Sequence, residues 1–74
     1  MGLKVNRLKD FREILGLTQE KLAERVQVSR QTINSIEANR YVPSLELALK
    51  LSHVFKCQVE DLFHILEIKN VRKT

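Results

Sequence analysis

Seventy-four residues make one small domain, and a chain of this size buries only about 60% of its unfolded surface, so it gains much from a partner subunit. Hydrophobic content of 43%, one Pro and two Gly support a folded core and argue against disorder, while thirteen Lys and Arg against nine Asp and Glu give a net charge of +4, which favours anionic partners without identifying them. No apolar run approaches the roughly 18 residues of a membrane span, the N-terminus has no signal-peptide core, and the single Cys57 cannot form an internal disulfide, so a reducing, cytoplasmic compartment is expected.

In chain order, Gly2 to Val5 alternates weakly and suits a short strand at about 3–5. Asn6 then caps a first helix, about 7–15, with Leu8, Phe11, Ile14 and Leu15 assigned to its inner face. Gly16 ends it, since glycine tolerates the left-handed C-cap conformation. Thr18 is a good N-cap for a second helix, about 19–26, because its hydroxyl accepts from an unpaired amide of the first turn. Leu17 and Leu22 can close a hydrophobic staple across that start. The same grammar returns eleven residues later: Ser29 caps a third helix, about 30–38, with Val28 and Ile33 as the staple pair. Leu22, Ala23, Val26, Val28, Ile33 and Ile36 fall inward at helical spacing. The other face of the third helix carries Arg30, Gln31, Asn34 and Ser35, all able to hydrogen-bond a base edge or a phosphate. A plain solvated face more often holds Glu and Lys.

Asn39 suits a left-handed position after the third helix, and Pro43 biases Val42 away from helix. Ser44 caps a fourth helix, about 45–55, with Leu45, Ala48, Leu51, Ser52 and Phe55 assigned inward and Leu47 and Val54 forming a second apolar stripe. Val59 to Phe63 makes one further turn, with Glu60 and Asp61 complementing its N-terminal dipole. Residues 64–68 either prolong that helix or form a strand, and their β-branched and aromatic content favours a strand that could pair with the N-terminus. A single domain over 1–69 and a frayed tail over 70–74 are expected.

The stretch from Thr18 to Glu37 resembles the helix-turn-helix of the phage-repressor (Cro/C1, or Xre-type) family of DNA-binding proteins. Thr18-Gln19-Glu20-x-Leu22-Ala23, then Val28-Ser29-Arg30-x-Thr32-Ile33, then Ile36-Glu37, Asn39 and Pro43-Ser44 carry the likeness, which continues from Leu45 to Phe63 and so covers most of the chain. It implies an all-α, compact five-helix lambda-repressor-like domain, similar to short stand-alone repressors of the family whose termini add an antiparallel β-ribbon. Two positions depart from the family's pattern: Gln27 stands where glycine is usual in the turn, and Lys56 where glycine ends the fourth helix. A side chain in the left-handed conformation costs roughly 1 kcal/mol.

The resemblance implies sequence-specific binding of double-stranded DNA by a homodimer, most simply a transcriptional repressor on a palindromic operator. Arg30, Gln31, Asn34 and Ser35 are then the base readers, since Arg pairs with guanine and Gln or Asn with adenine. Thr18, Gln19, Ser29, Thr32, Asn39, Arg40 and Tyr41 are the phosphate contacts, with Tyr41 equally suited to partial core packing. Arg12 and Glu37 match positions that the family pairs as a structural salt bridge. Leu47, Val54, Phe63, Ile65 and Leu66, read as apolar surface left over, are the expected dimer interface. The competing reading is an antitoxin-type module that binds a protein and autoregulates through DNA, but the only spare segment is 65–74. His53, Cys57 and His64 have no recognised metal-ligand spacing, and no nucleophile–base arrangement or deep pocket points to an enzyme. No metal, cofactor, membrane or small-molecule ligand is expected.

Overall fold

The computed structural model describes residues 5–64. In order these are β1 (Val5–Asn6), α1 (Leu8–Ile14), α2 (Gln19–Val26), α3 (Arg30–Glu37), α4 (Leu45–Phe55), α5 (Val59–Leu62) and β2 (Phe63–His64). The body is therefore five helices. β1 and β2 pair antiparallel over two residues, Val5 with His64 and Asn6 with Phe63. Arg7 N–H donates to Leu62 O at 2.8 Å and extends this tie between the chain's ends.

Local chemistry sets most helix boundaries. Thr18, Ser29 and Ser44 each sit in extended backbone and accept the amide three residues on, at 3.0, 3.1 and 3.1 Å. Each satisfies one donor that the first helical turn cannot pair internally. Helix α1 departs from the expected cap: Arg7 stands at its N-cap without a side-chain bond, and Asn6, one residue earlier, accepts Leu8 N–H on its Oδ1 at 3.0 Å. Gly16, Gln27, Asn39 and Lys56 adopt positive φ at the helix exits, so two of these turns are made by the long side chains Gln27 and Lys56 rather than by glycine.

The core is one cluster. Leu8, Leu22, Val26, Ile33, Ile36, Leu51 and Leu62 are its fully buried side chains, with α2 packed chiefly on α3 and α4. Phe11 and Phe55 meet edge to face with ring centroids 5.8 Å apart, a favourable aromatic geometry. Among the described residues no helix is long and apolar enough to cross a membrane.

Packing overturns several assignments made from periodicity. Leu47 and Phe63, each 7% exposed, belong to the core and are not spare surface, while Val54 is half-buried against it. Leu45 is 74% exposed instead of inward. Helix α4 carries apolar side chains nearly all round, so spacing alone does not select the buried arc; the arc that fits against α2 takes in Leu47 and leaves Leu45 out. Phe63 leaves the last helix for β2, where its extended backbone pairs with Asn6. Ile14 and Leu15 are exposed. Helix α1 ends at Ile14, and the inward place after Phe11 goes to Arg12, which turns toward Glu37. Strand positions 3–4 and 65–68, the interface residues Ile65 and Leu66, and the tail at 70–74 lie outside the described residues.

Candidate nucleic-acid interface

The site rests on how α3 is seated. Its inward side chains, Ile33 and Ile36, are fully buried, and that fixes the outward arc. Arg30 and Gln31 are exposed on the first turn, and Thr32, Asn34 and Ser35 are half-buried beside them. At the start of the helix Ser29 Oγ lies 2.9 Å from Thr32 Oγ1 as well as capping it, so these two hydroxyls are mutually oriented. At its end Asn39 takes φ 62°, and Arg40 N–H donates back to Ser35 O at 2.9 Å. That reversal folds the following loop alongside α3. The result is a shallow polar depression lined by Ser29, Gln31, Thr32, Ser35, Arg40 and Tyr41. Tyr41 is exposed, so it faces this surface rather than the core. Arg40 Nη2 donates to Asn34 Oδ1 at 3.2 Å.

A second depression gathers Gln19, Asn34, Arg12 and Glu37 with Lys9 of α1. Arg30 lines neither of the two. The pair Arg12 and Glu37 is the anchor here: Nε–Oε2 is 2.6 Å and Nη2–Oε1 is 3.3 Å, with side chains only 11% and 6% exposed. Arg12 Nη1 also donates to Leu17 O at 2.8 Å, and Gln19 Nε2 donates to Glu37 Oε1 at 3.0 Å. One carboxylate at the end of α3 thus holds the end of α1 and the start of α2. The hydrogen bond to Glu37 keeps the Arg12 guanidinium above its ordinary pKa against the opposing effect of burial. Gln19 is thus held at the start of α2 by one N–H, while its second N–H and its carbonyl oxygen make no hydrogen bond among the described residues.

Two residues of this surface carry no signal in their own segments. Lys9 is one of several exposed lysines until the depression places it beside Gln19 and Asn34. Asn6, which sequence marks only as a cap, donates its Nδ2 to Ile36 O and to Asn39 Oδ1, the latter at 3.2 Å, and so holds the last turn of α3 and the chain reversal after it. Among the described residues no three His, Cys, Asp or Glu side chains are grouped to hold a metal ion. Cys57 is half-buried against the core; burial, and secondarily Asp61, push its thiol pKa upward.

Two capped helices joined by a left-handed turn, the second offering a polar arc flanked by a basic loop, define a helix-turn-helix protein. The helix-turn-helix family model matches residues 8–62, and the chain belongs to that family. It is 48% identical over 62 residues to an uncharacterized HTH-type transcriptional regulator of Bacillus subtilis, spanning 84% of this chain and 94% of that one. The restriction-modification controller protein C.AhdI from Aeromonas hydrophila superposes with a TM-score of 0.71 at 32% identity, over 77% of this chain and 86% of its own. The clp gene regulator ClgR from Corynebacterium glutamicum gives 0.68 at 33% identity over 73% of this chain, which spans 57% of that longer protein. The fold is the lambda-repressor-like one shared by these regulators.

Proposed function

We propose that this helix-turn-helix protein, a DNA-binding regulator of transcription, recognises a specific double-stranded sequence as a homodimer and represses by occluding it. The observation that carries the reading is the convergence of Ser29, Gln31, Thr32, Ser35, Arg40 and Tyr41 on one exposed surface around α3. Helix α3 enters the major groove and α2 braces it across the phosphates, the docking geometry of this motif. The Gln31 side chain makes no hydrogen bond among the described residues, so its carboxamide offers a donor and an acceptor together, the pattern that suits adenine. Asn34 differs: Arg40 occupies its Oδ1, leaving the amide to donate, which suits an acceptor such as guanine O6 or N7 or thymine O4. Arg30, exposed at the helix start, reaches a guanine or a phosphate. Ser35 reads a neighbouring position.

Phosphates fall to the periphery. The first amides of α2, beginning at Gln19, remain as donors, since the Thr18 hydroxyl takes that of Lys21; Ser29, Thr32, Asn39, Arg40 and Tyr41 flank the groove, and Lys9 adds a cation near Gln19. A two-fold dimer presents two copies of α3 roughly 34 Å apart, one DNA turn.

Selection of bound sequences from random duplex DNA tests this and should return a two-fold-related site. Gln31→Ala should lose about 1–3 kcal/mol on that site and almost nothing on random DNA, whose affinity comes from phosphates. Circular dichroism must first show the variant folded. If the ratio of the two affinities stays at the wild-type value, α3 does not carry the sequence readout.

A further inference from the structure

Helix α4 exposes large apolar side chains, Leu45 and Leu49, among the described residues. Leu45 and Leu49 are 74% and 52% exposed, and with Val54 they floor a groove walled by Arg25, Glu46, Lys50 and His53. We infer that this groove is the homodimer interface, the two copies packing groove to groove so that Leu45 and Leu49 of one α4 meet those of the other. The inference rests on the dimer reading above and names the surface for it.

Two features of the groove favour a second copy as its occupant. The first is charge. Among the described residues Arg25 makes no ion pair, and Glu46 has only an exposed contact of 3.7 Å with Lys50, which is worth little. A two-fold interface brings residue i of one copy to j of the other and j to i. The rim, with Arg25 and Lys50 against Glu46, therefore carries both signs, and a two-fold can set Arg25 against Glu46 twice. The second feature is continuity. An intermediate depression lined by Thr32, Tyr41, Gln27, Glu46 and Lys50 joins this groove to the polar surface around α3. An occupant of the groove therefore sits beside the DNA-facing surface and not behind it, where a second copy can place its own α3 on the same side of a duplex.

Sedimentation at micromolar concentration, with circular dichroism as the control for folding, tests the assignment. Leu49→Ser and Glu46→Arg should each raise the dimer dissociation constant tenfold or more, because both positions are solvent-facing in the monomer and neither holds the core. Arg25→Glu should act alike, and the combined Arg25→Glu, Glu46→Arg variant should recover most of the lost dimer, since the swap restores opposite signs across the two-fold. That recovery is not expected of a structural effect within one copy. Folded Leu49→Ser and Glu46→Arg variants that dimerise like the wild type overturn the groove assignment while leaving the dimer reading standing. A wild type that is monomeric and binds one half-site at full affinity overturns both.

Discussion

The Arg12–Glu37 pair offers the sharpest test of how the recognition surface is held. Arg12→Met keeps much of the side chain's apolar length but removes three donors: two to Glu37 and one to Leu17 O. Glu37, 6% exposed, then keeps only the Gln19 amide at 3.0 Å. Removing one partner of a buried pair generally costs about 3–5 kcal/mol, because the other charge is stranded. The low end, about 3 kcal/mol, applies here, since Gln19 still serves one carboxylate oxygen. A domain of this size has a total stability of roughly 4–11 kcal/mol, so the loss is a large fraction of it. It corresponds to a fall in Tm of about 12–24 °C at the usual 4–8 °C per kcal/mol. Arg12→Lys should recover little, because an ammonium cannot span both carboxylate oxygens and the Leu17 carbonyl. Replacing both partners, Arg12→Met with Glu37→Leu, should be far milder than the single change, since no charge is left behind. Urea unfolding followed by circular dichroism measures all three. A single Arg12→Met variant within 1 kcal/mol of the wild type, or a double variant worse than the single, would refute the stranded-charge argument.

Other outcomes follow from single features of the structure. Arg40→Ala should weaken binding to specific and random DNA alike and flatten the log–log salt dependence by about 0.9, the slope of one neutralised phosphate; an unchanged slope in a salt titration would remove Arg40 from the backbone contacts. Gln27→Gly should stabilise the fold by about 0.5–1 kcal/mol, because φ is 63° there and glycine relieves the left-handed strain against a partly offsetting gain in unfolded-chain entropy. A lowered urea midpoint would instead assign more weight to the Gln27 Oε1 contact with Lys50 Nζ at 3.3 Å. Cys57 should be alkylated more slowly at pH 8 than in the urea-unfolded chain, since its raised pKa leaves less thiolate in the folded state; equal rates would mean that the thiol is not desolvated.

Features that depend on neighbours along the chain were legible in the sequence. Thr18, Ser29 and Ser44 mark helix starts because capping is chemistry between a side chain and an amide three residues away, and all three cap in the structure. Asn39 was legible as a left-handed position for a similarly local reason. The buried faces of α2 and α3 were legible too, because each has one apolar stripe and one polar arc. The remaining features depend on packing between distant segments. Helix α4 has more apolar positions than the core can take, so only the packed arrangement could choose Leu47 for the interior and leave Leu45 and Leu49 on the surface. Phe63 follows strand pairing with Asn6, a partner far away in the chain. The same holds at the candidate site, where Gln19 is bound to Glu37, Arg40 orients Asn34, and Asn6 secures the end of α3. No local pattern encodes these contacts, because each exists only once the helices have been brought together.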